Sequence, residues 1–197
     1  MQKIKQTLSP YFGIILFVVA LFGANILWKL IISGDEDSPM VLLFNRFDIS
    51  APFAAMSEHI AKAVYSIVRF FGNEITLTNS IFLTYPSKYG IKVIWGCTGI
   101  KQSFIFLVIM LLARGSWKHK LWFIPLGILC CYIINIFRIT AITLIVKNHQ
   151  ELFHFYHGFV FKYLYYGLIF LMWLFWEEKI YKSFLATDDT DFYNFRK

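Results

Sequence analysis

The sequence predicts an all-α integral membrane bundle: about four to five transmembrane helices, one amphipathic helix and a short β-like segment outside the lipid. Three observations carry this. Hydrophobic residues make up 58% of the 197 residues and charged residues only 16%, whereas a soluble domain has about 45–50% and about 25%. A chain of this size has too much surface to hide that much apolar material in a water-soluble core. Several apolar runs also approach or exceed the ~20 residues that a bilayer core requires. These proportions exclude a freely soluble globular enzyme and a disordered chain. The length excludes a large multi-helix transporter.

Taken in order, the first span is 11–32. It follows Met1-Gln-Lys-Ile-Lys and is longer than the apolar core of a signal peptide, so it reads as a retained span. Residues 52–71 form the amphipathic helix. Ser50 suits a cap, Pro52 a first turn and Gly72 a stop. Phe53, Met56, Ile60, Val64, Ile67 and Phe71 share one face, and Glu58, Lys62, Ser66 and Arg69 the other. Such a helix lies on the membrane or turns its polar face into the bundle rather than crossing lipid alone. Residues 73–96 are rich in β-branched side chains, with Asn79-Ser80 and Pro86-Ser87 as turns, and read as one or two short strands. Spans follow at 97–113, 121–146 and 158–176. The tail beyond Trp176, with Asp188, Asp189 and Asp191, is polar and is expected to fray. The whole is one membrane domain, with no repeat.

The net charge is +7. In a membrane chain, Lys and Arg mark cytoplasmic loops before they mark a nucleic-acid surface. The segment Arg114-Gly-Ser-Trp-Lys-His-Lys120 is therefore expected inside, as are Lys3 and Lys5 at the N-terminus and Lys179 and Lys182 after the last span. The segment before Cys97 and the loop after Val146 then share the outer side, and the β-like segment is extracytoplasmic. No nucleic-acid partner, cofactor or metal is implied, and Cys97, Cys130 and Cys131 form no disulfide or metal spacing.

Three polar clusters fall at one depth on that outer side. Cys97 stands in Trp95-Gly-Cys-Thr98-Gly99 at the start of a span, where free N–H groups and a positive field favour a thiolate. Membrane cysteines are otherwise packing residues, which is how Cys130 and Cys131 read. Arg138 lies about 26 Å along the third long span, near the boundary of the core, and needs a partner or a wet cavity there unless it snorkels outward. Asn135 shares its face. His154 and His157 precede Gly158, and taken alone they are interfacial histidines. A thiol needs a base, histidine shuttles protons near neutral pH, and a guanidinium can face an oxyanion. Together the three imply acyl transfer through a thioester.

At these residues the sequence resembles the exosortase/archaeosortase family of membrane cysteine transpeptidases, as a small bacterial form with fewer spans than many relatives. The resemblance rests on Cys97-Thr98-Gly99, Asn135-Ile-Phe-Arg138-Ile and His154-Phe-Tyr-His157-Gly158-Phe. It implies a plasma-membrane enzyme whose active site faces the extracytoplasmic side. Such an enzyme cleaves a C-terminal sorting signal, made of a short motif, a membrane helix and a basic cluster, on exported proteins. It passes them to a surface acceptor that the sequence does not name. Carried over, Cys97 is the nucleophile, Arg138 stabilises the thiolate or oxyanion, and one histidine is the acid and base. His154 fits His-x-x-x-Gly and is slightly favoured; His157 directly precedes the glycine, and both are retained. Thr98, Gly99 and Asn135 are supporting residues. The alternative is a non-catalytic assembly factor for surface polysaccharide or protein export, which would act through the stripe of Glu58, Lys62 and Arg69. An enzyme of lipid phosphate is disfavoured, because only one Arg lies near the site and no carboxylate cluster accompanies it.

Overall fold

The computed structural model describes residues 12–34 and 40–181, and of His154 only the backbone. Tyr11, Lys3, Lys5, the acidic run 35–37, Lys182 and the tail with Asp188, Asp189 and Asp191 lie outside the described residues. Among those described, α1 is Phe12–Ile31, α2 Ser50–Phe70, α3 Ile100–Leu112 and α4 Trp117–Val146. A last helical run, α5, covers Gln150–Tyr181 and widens into π turns at Tyr156–Val160 and Trp176–Tyr181. α1, α4 and α5 are long and apolar enough to cross a membrane; α3 is a shorter apolar helix. The architecture is an all-α membrane bundle with two small sheets.

α1, α3, α4 and α5 share one core, built from Phe17 and Ala24 of α1, Phe106 and Met110 of α3, Cys131 of α4 and Ile169 of α5. Their other faces stay apolar and uncovered. Phe22 is 65% exposed, Leu121 77% and Phe137 78%, an outward apolar surface that suits lipid as solvent. Association in lipid depends on close packing rather than on hydrophobic exclusion. Gly127 of α4 provides this: an added Cβ would run into the Phe106 ring.

α2 flanks the second half of α4. Ile60, Val64 and Val68 pack with Ile139, Ile142 and Val146, and His59 Nε2 lies 2.7 Å from the Tyr132 hydroxyl. The buried face runs Phe53, Ser57, Ile60, Ala61, Val64, Val68. It departs from the expected stripe at its end, because Val68 takes the core position and Phe71 is 66% exposed. Ser50 does not cap α2 as expected. It is the first helical residue, and its hydroxyl accepts from Val41 N at 2.8 Å and donates to Asp48 Oδ1 at 2.5 Å. Asp48 also accepts from Ser50 N at 2.8 Å, so the carboxylate serves the helix start instead. Gly72, at φ +76°, ends the helix as expected.

The segment after α2 forms three antiparallel strands, β4 Thr76–Thr78, β5 Phe82–Thr84 and β6 Gly90–Lys92, in the order β4-β5-β6. Leu83 pairs with Leu77 and Ile91. Asn79 and Ser80 close the first hairpin, both at positive φ, which Asn tolerates best. A second sheet, not foreseen from the sequence, joins β1 Ile32–Ser33, β2 Leu42–Leu43 and β3 Phe47–Asp48. Two-residue strands carry no readable alternation. The segments before Cys97 and after Val146 share one end of the molecule: Gln150 Oε1 accepts from Gly90 N at 3.2 Å, and Lys147 Nζ donates to Asn73 Oδ1 at 2.8 Å.

Candidate active site

Cys97 sits in a 3-10 turn, Trp95–Cys97, rather than in α3 itself. The helix waits until Ile100 because Gly99 has φ +76°, a left-handed conformation that interrupts any helix. The same glycine lies against α4: a Cβ there would meet Asn135 Cγ at 2.9 Å. Asn135, fully buried, donates from Nδ2 to the Cys97 carbonyl at 2.8 Å. Thr98 Oγ1 donates to Trp95 O at 2.7 Å and closes the turn. The Cys-Thr-Gly sequence is therefore a backbone device: it turns the chain tightly and lets α4 grip the thiol-bearing residue. Asn135 Oδ1 is buried with no hydrogen-bond partner among the described residues.

The Cys97 sulfur is 3.7 Å from His157 Nε2, within reach of a hydrogen bond to sulfur. His157 occupies the π turn of α5 and stacks on Phe153, rings 5.1 Å apart and 15° from parallel. The stack fixes the ring plane. Arg138, one turn of α4 beyond Asn135, is 8% exposed. Cys97, Thr98, Arg138 and His157 all line one cavity of about 460 Å³. The expected set from three remote segments thus converges, with Gly99 and Asn135 directly behind it. The backbone of His154 lies in the helical turn Phe153–Phe155; its side chain is outside the described residues.

The cavity also has cationic walls. Lys29 of α1, Lys101 and Gln102 of α3, and Lys162 of α5 line it. The signal of these lysines in the sequence was slight: each is a single cation near a span end, opposite the basic 114–120 segment. Cys131 is fully buried in the packed core and does not line the cavity; Tyr165 donates to its carbonyl at 2.5 Å. Among the described residues no group of three or more His, Cys, Asp or Glu gathers in a metal-binding arrangement.

A family model described as transmembrane exosortase matches residues 3–176 of the chain. No curated protein and no solved structure matches it.

Proposed function

The chain belongs to the transmembrane exosortase family, and from that premise we propose that it is a cysteine transpeptidase acting on exported proteins that carry a C-terminal sorting signal. The observation that carries this reading is the 3.7 Å approach of the Cys97 sulfur to His157 Nε2 in a cavity that Arg138 also lines.

The chemistry is as follows. His157 Nε2 takes the proton of the Cys97 thiol, and the thiolate attacks the scissile carbonyl carbon. The oxyanion that forms faces the Arg138 guanidinium, whose fixed charge costs no reorganisation at that moment. The C–N bond breaks and the amine leaves with the proton from His157. The peptide remains as a thioester on Cys97. An acceptor N–H or O–H then attacks that carbon, His157 takes its proton, the C–S bond breaks and the thiolate is restored. Arg138 and the N-terminal field of α3 hold the anionic sulfur between the two halves. The bilayer admits the signal's membrane helix sideways, in the plasma membrane, with the cavity on the extracytoplasmic side. The basic 114–120 segment at the other end of the bundle supports that orientation.

The test compares C-terminal processing of exported proteins by mass spectrometry in membranes carrying wild type, Cys97→Ala, Arg138→Ala or His157→Gln. Processing disappears in the first and falls at least a hundredfold in the other two, with each protein inserted to the wild-type level. A hydroxylamine-sensitive adduct on Cys97 marks the thioester. Normal processing by Cys97→Ala would remove the nucleophile.

A further inference from the structure

Three lysines that the acyl-transfer scheme leaves unused line the same cavity. Lys29 comes from the last turn of α1, Lys101 from the first turn of α3 and Lys162 from α5. With Arg138 they make four cations from four helices. No Asp or Glu is among the described residues that line the cavity. Lys29 and Lys162 are exposed, and neither pairs with a described carboxylate. Lys101 stands at the positive end of its own helix, where a cation is disfavoured. Lys29 and Lys162, with no described carboxylate of their own, can hold an anion that enters the cavity.

A second feature tells which anion. A groove of about 250 Å³ runs between α4 and α5, lined by Ile133, Phe137, Leu164 and Leu168. It reaches Arg138 and Tyr165, which line the cavity as well. Phe137 is 78% exposed and Leu164 54%, on the outer apolar surface of the bundle. An apolar slot that opens sideways to the bilayer and ends on a cationic cavity matches an amphiphile, not a soluble anion. An acidic peptide would use the cations and leave the groove without a purpose.

We infer that a glycerophospholipid binds here, one acyl chain in the α4–α5 groove and its phosphate between Lys162 and Lys29. Lysines near the ends of spans meet lipid phosphates at headgroup depth. The lipid is a bound ligand, not the substrate of a phosphoryl transfer, and its binding does not depend on the chemistry proposed for Cys97. The rival anion is internal: the sequence Asp35-Glu36-Asp37 follows Gly34, itself a cavity residue.

The experiment titrates tail-labelled phosphatidylglycerol into the full chain carrying Cys97→Ala, in a non-ionic detergent, and reads fluorescence anisotropy. With the nucleophile absent, the outcome is separate from that of the transpeptidase reading. Saturable binding is expected, at least tenfold weaker in Lys29→Gln/Lys162→Gln and in the groove-filling Leu164→Trp. It stays unchanged in Lys118→Gln/Lys179→Gln at the other end. Labelled diacylglycerol, with the same chains and no phosphate, binds at least tenfold more weakly. Equal binding of diacylglycerol, or equal loss in both lysine pairs, overturns the site. Full displacement by a glutamate-bearing peptide or by inorganic phosphate as readily as by unlabelled lipid overturns the lipid. Binding that appears only after Asp35→Asn/Glu36→Gln/Asp37→Asn assigns the cations to the chain's own acidic run and also overturns it.

Discussion

The two ends of the bundle both carry cations, and they treat them differently. At one end Arg114 pairs with Glu177, and its guanidinium stacks 5.4 Å from the Phe12 ring and 5.0 Å from that of Tyr181. Lys120, 3% exposed, donates to Leu111 O at 3.1 Å and Ala113 O at 2.5 Å, so it satisfies carbonyls that the end of α3 leaves open. Trp176 Nε1 donates to Arg114 O at 2.8 Å. At the other end Lys29, Lys101, Arg138 and Lys162 line a cavity of about 460 Å³ beside a thiol. Charge invested in the protein's own carboxylates and carbonyls fastens helices together. Lys29 and Lys162, exposed and without a described carboxylate, face open volume. The first end has the make-up of a clasp and the second that of a candidate site, and the two are expected to respond to different substitutions.

The clasp gives the largest expected effect on stability. Glu177→Ala leaves Arg114 without its carboxylate. Losing one partner of a buried pair costs about 3–5 kcal/mol, and about 2–4 kcal/mol is expected here because 35% of the Arg114 side chain reaches solvent. Thermal unfolding in detergent should show a clear fall in Tm, while processing per folded molecule is unchanged. A loss of processing at unchanged Tm would erase the division between the ends.

The next effect reverses that pattern. Gly99→Ala places a side chain at φ +76°, at a cost of about 1–2 kcal/mol, and pushes Cβ against Asn135. The turn that carries Cys97 must shift. Processing should fall at least tenfold with only a modest drop in Tm. Asn135→Ala follows, removing the bond to Cys97 O at a cost of about 1 kcal/mol. Because both changes loosen the same contact, the double variant should be less impaired than the two losses combined. Additive losses in processing would separate Gly99 from Asn135.

The sequence made one class of feature readable and hid another. The long apolar runs, the face of α2 and the turn at Asn79-Ser80 were legible because each is a local pattern with a period or a backbone demand. The convergence of Cys97, Arg138 and His157 was legible only as a shared depth along separate spans. It took the 3.7 Å contact to bring the sulfur to His157. The role of Gly99 was invisible, since a left-handed residue against Asn135 depends on a neighbour met far along the chain. The β1–β3 sheet was missed because strands of two residues leave no alternation. The lysines of the cavity were missed for a different reason. Each is an ordinary cation near a span end, and only their placement on three helices around one volume makes them a group. The basic 114–120 segment drew attention to the end where Arg114 and Lys120 already have partners.

The smallest expected effect tests whether the site end can loosen alone. Asp48 accepts hydrogen bonds from the Ser50 hydroxyl and the Ser50 N–H, and these, the hydroxyl first, hold its carboxyl below the ordinary 3.8. A lowered folded value means that the carboxylate supports the fold fully above the ordinary value. That support is lost as pH falls through the lowered one. Ser50 Oγ in turn holds Val41 N, and Val41 packs with Trp28 and Phe53, two residues that line the cavity. Acid below about pH 4 should therefore raise hydrogen exchange across 40–50 before it touches α3 and α4 at the clasp. Asp48→Asn should show the raised exchange already at neutral pH and no further acid step. Because Asp48 is exposed, the change should be slight and salt-sensitive. An acid step of the same size in Asp48→Asn would assign it to another carboxyl. Simultaneous exchange at both ends would show that clasp and site open as one unit.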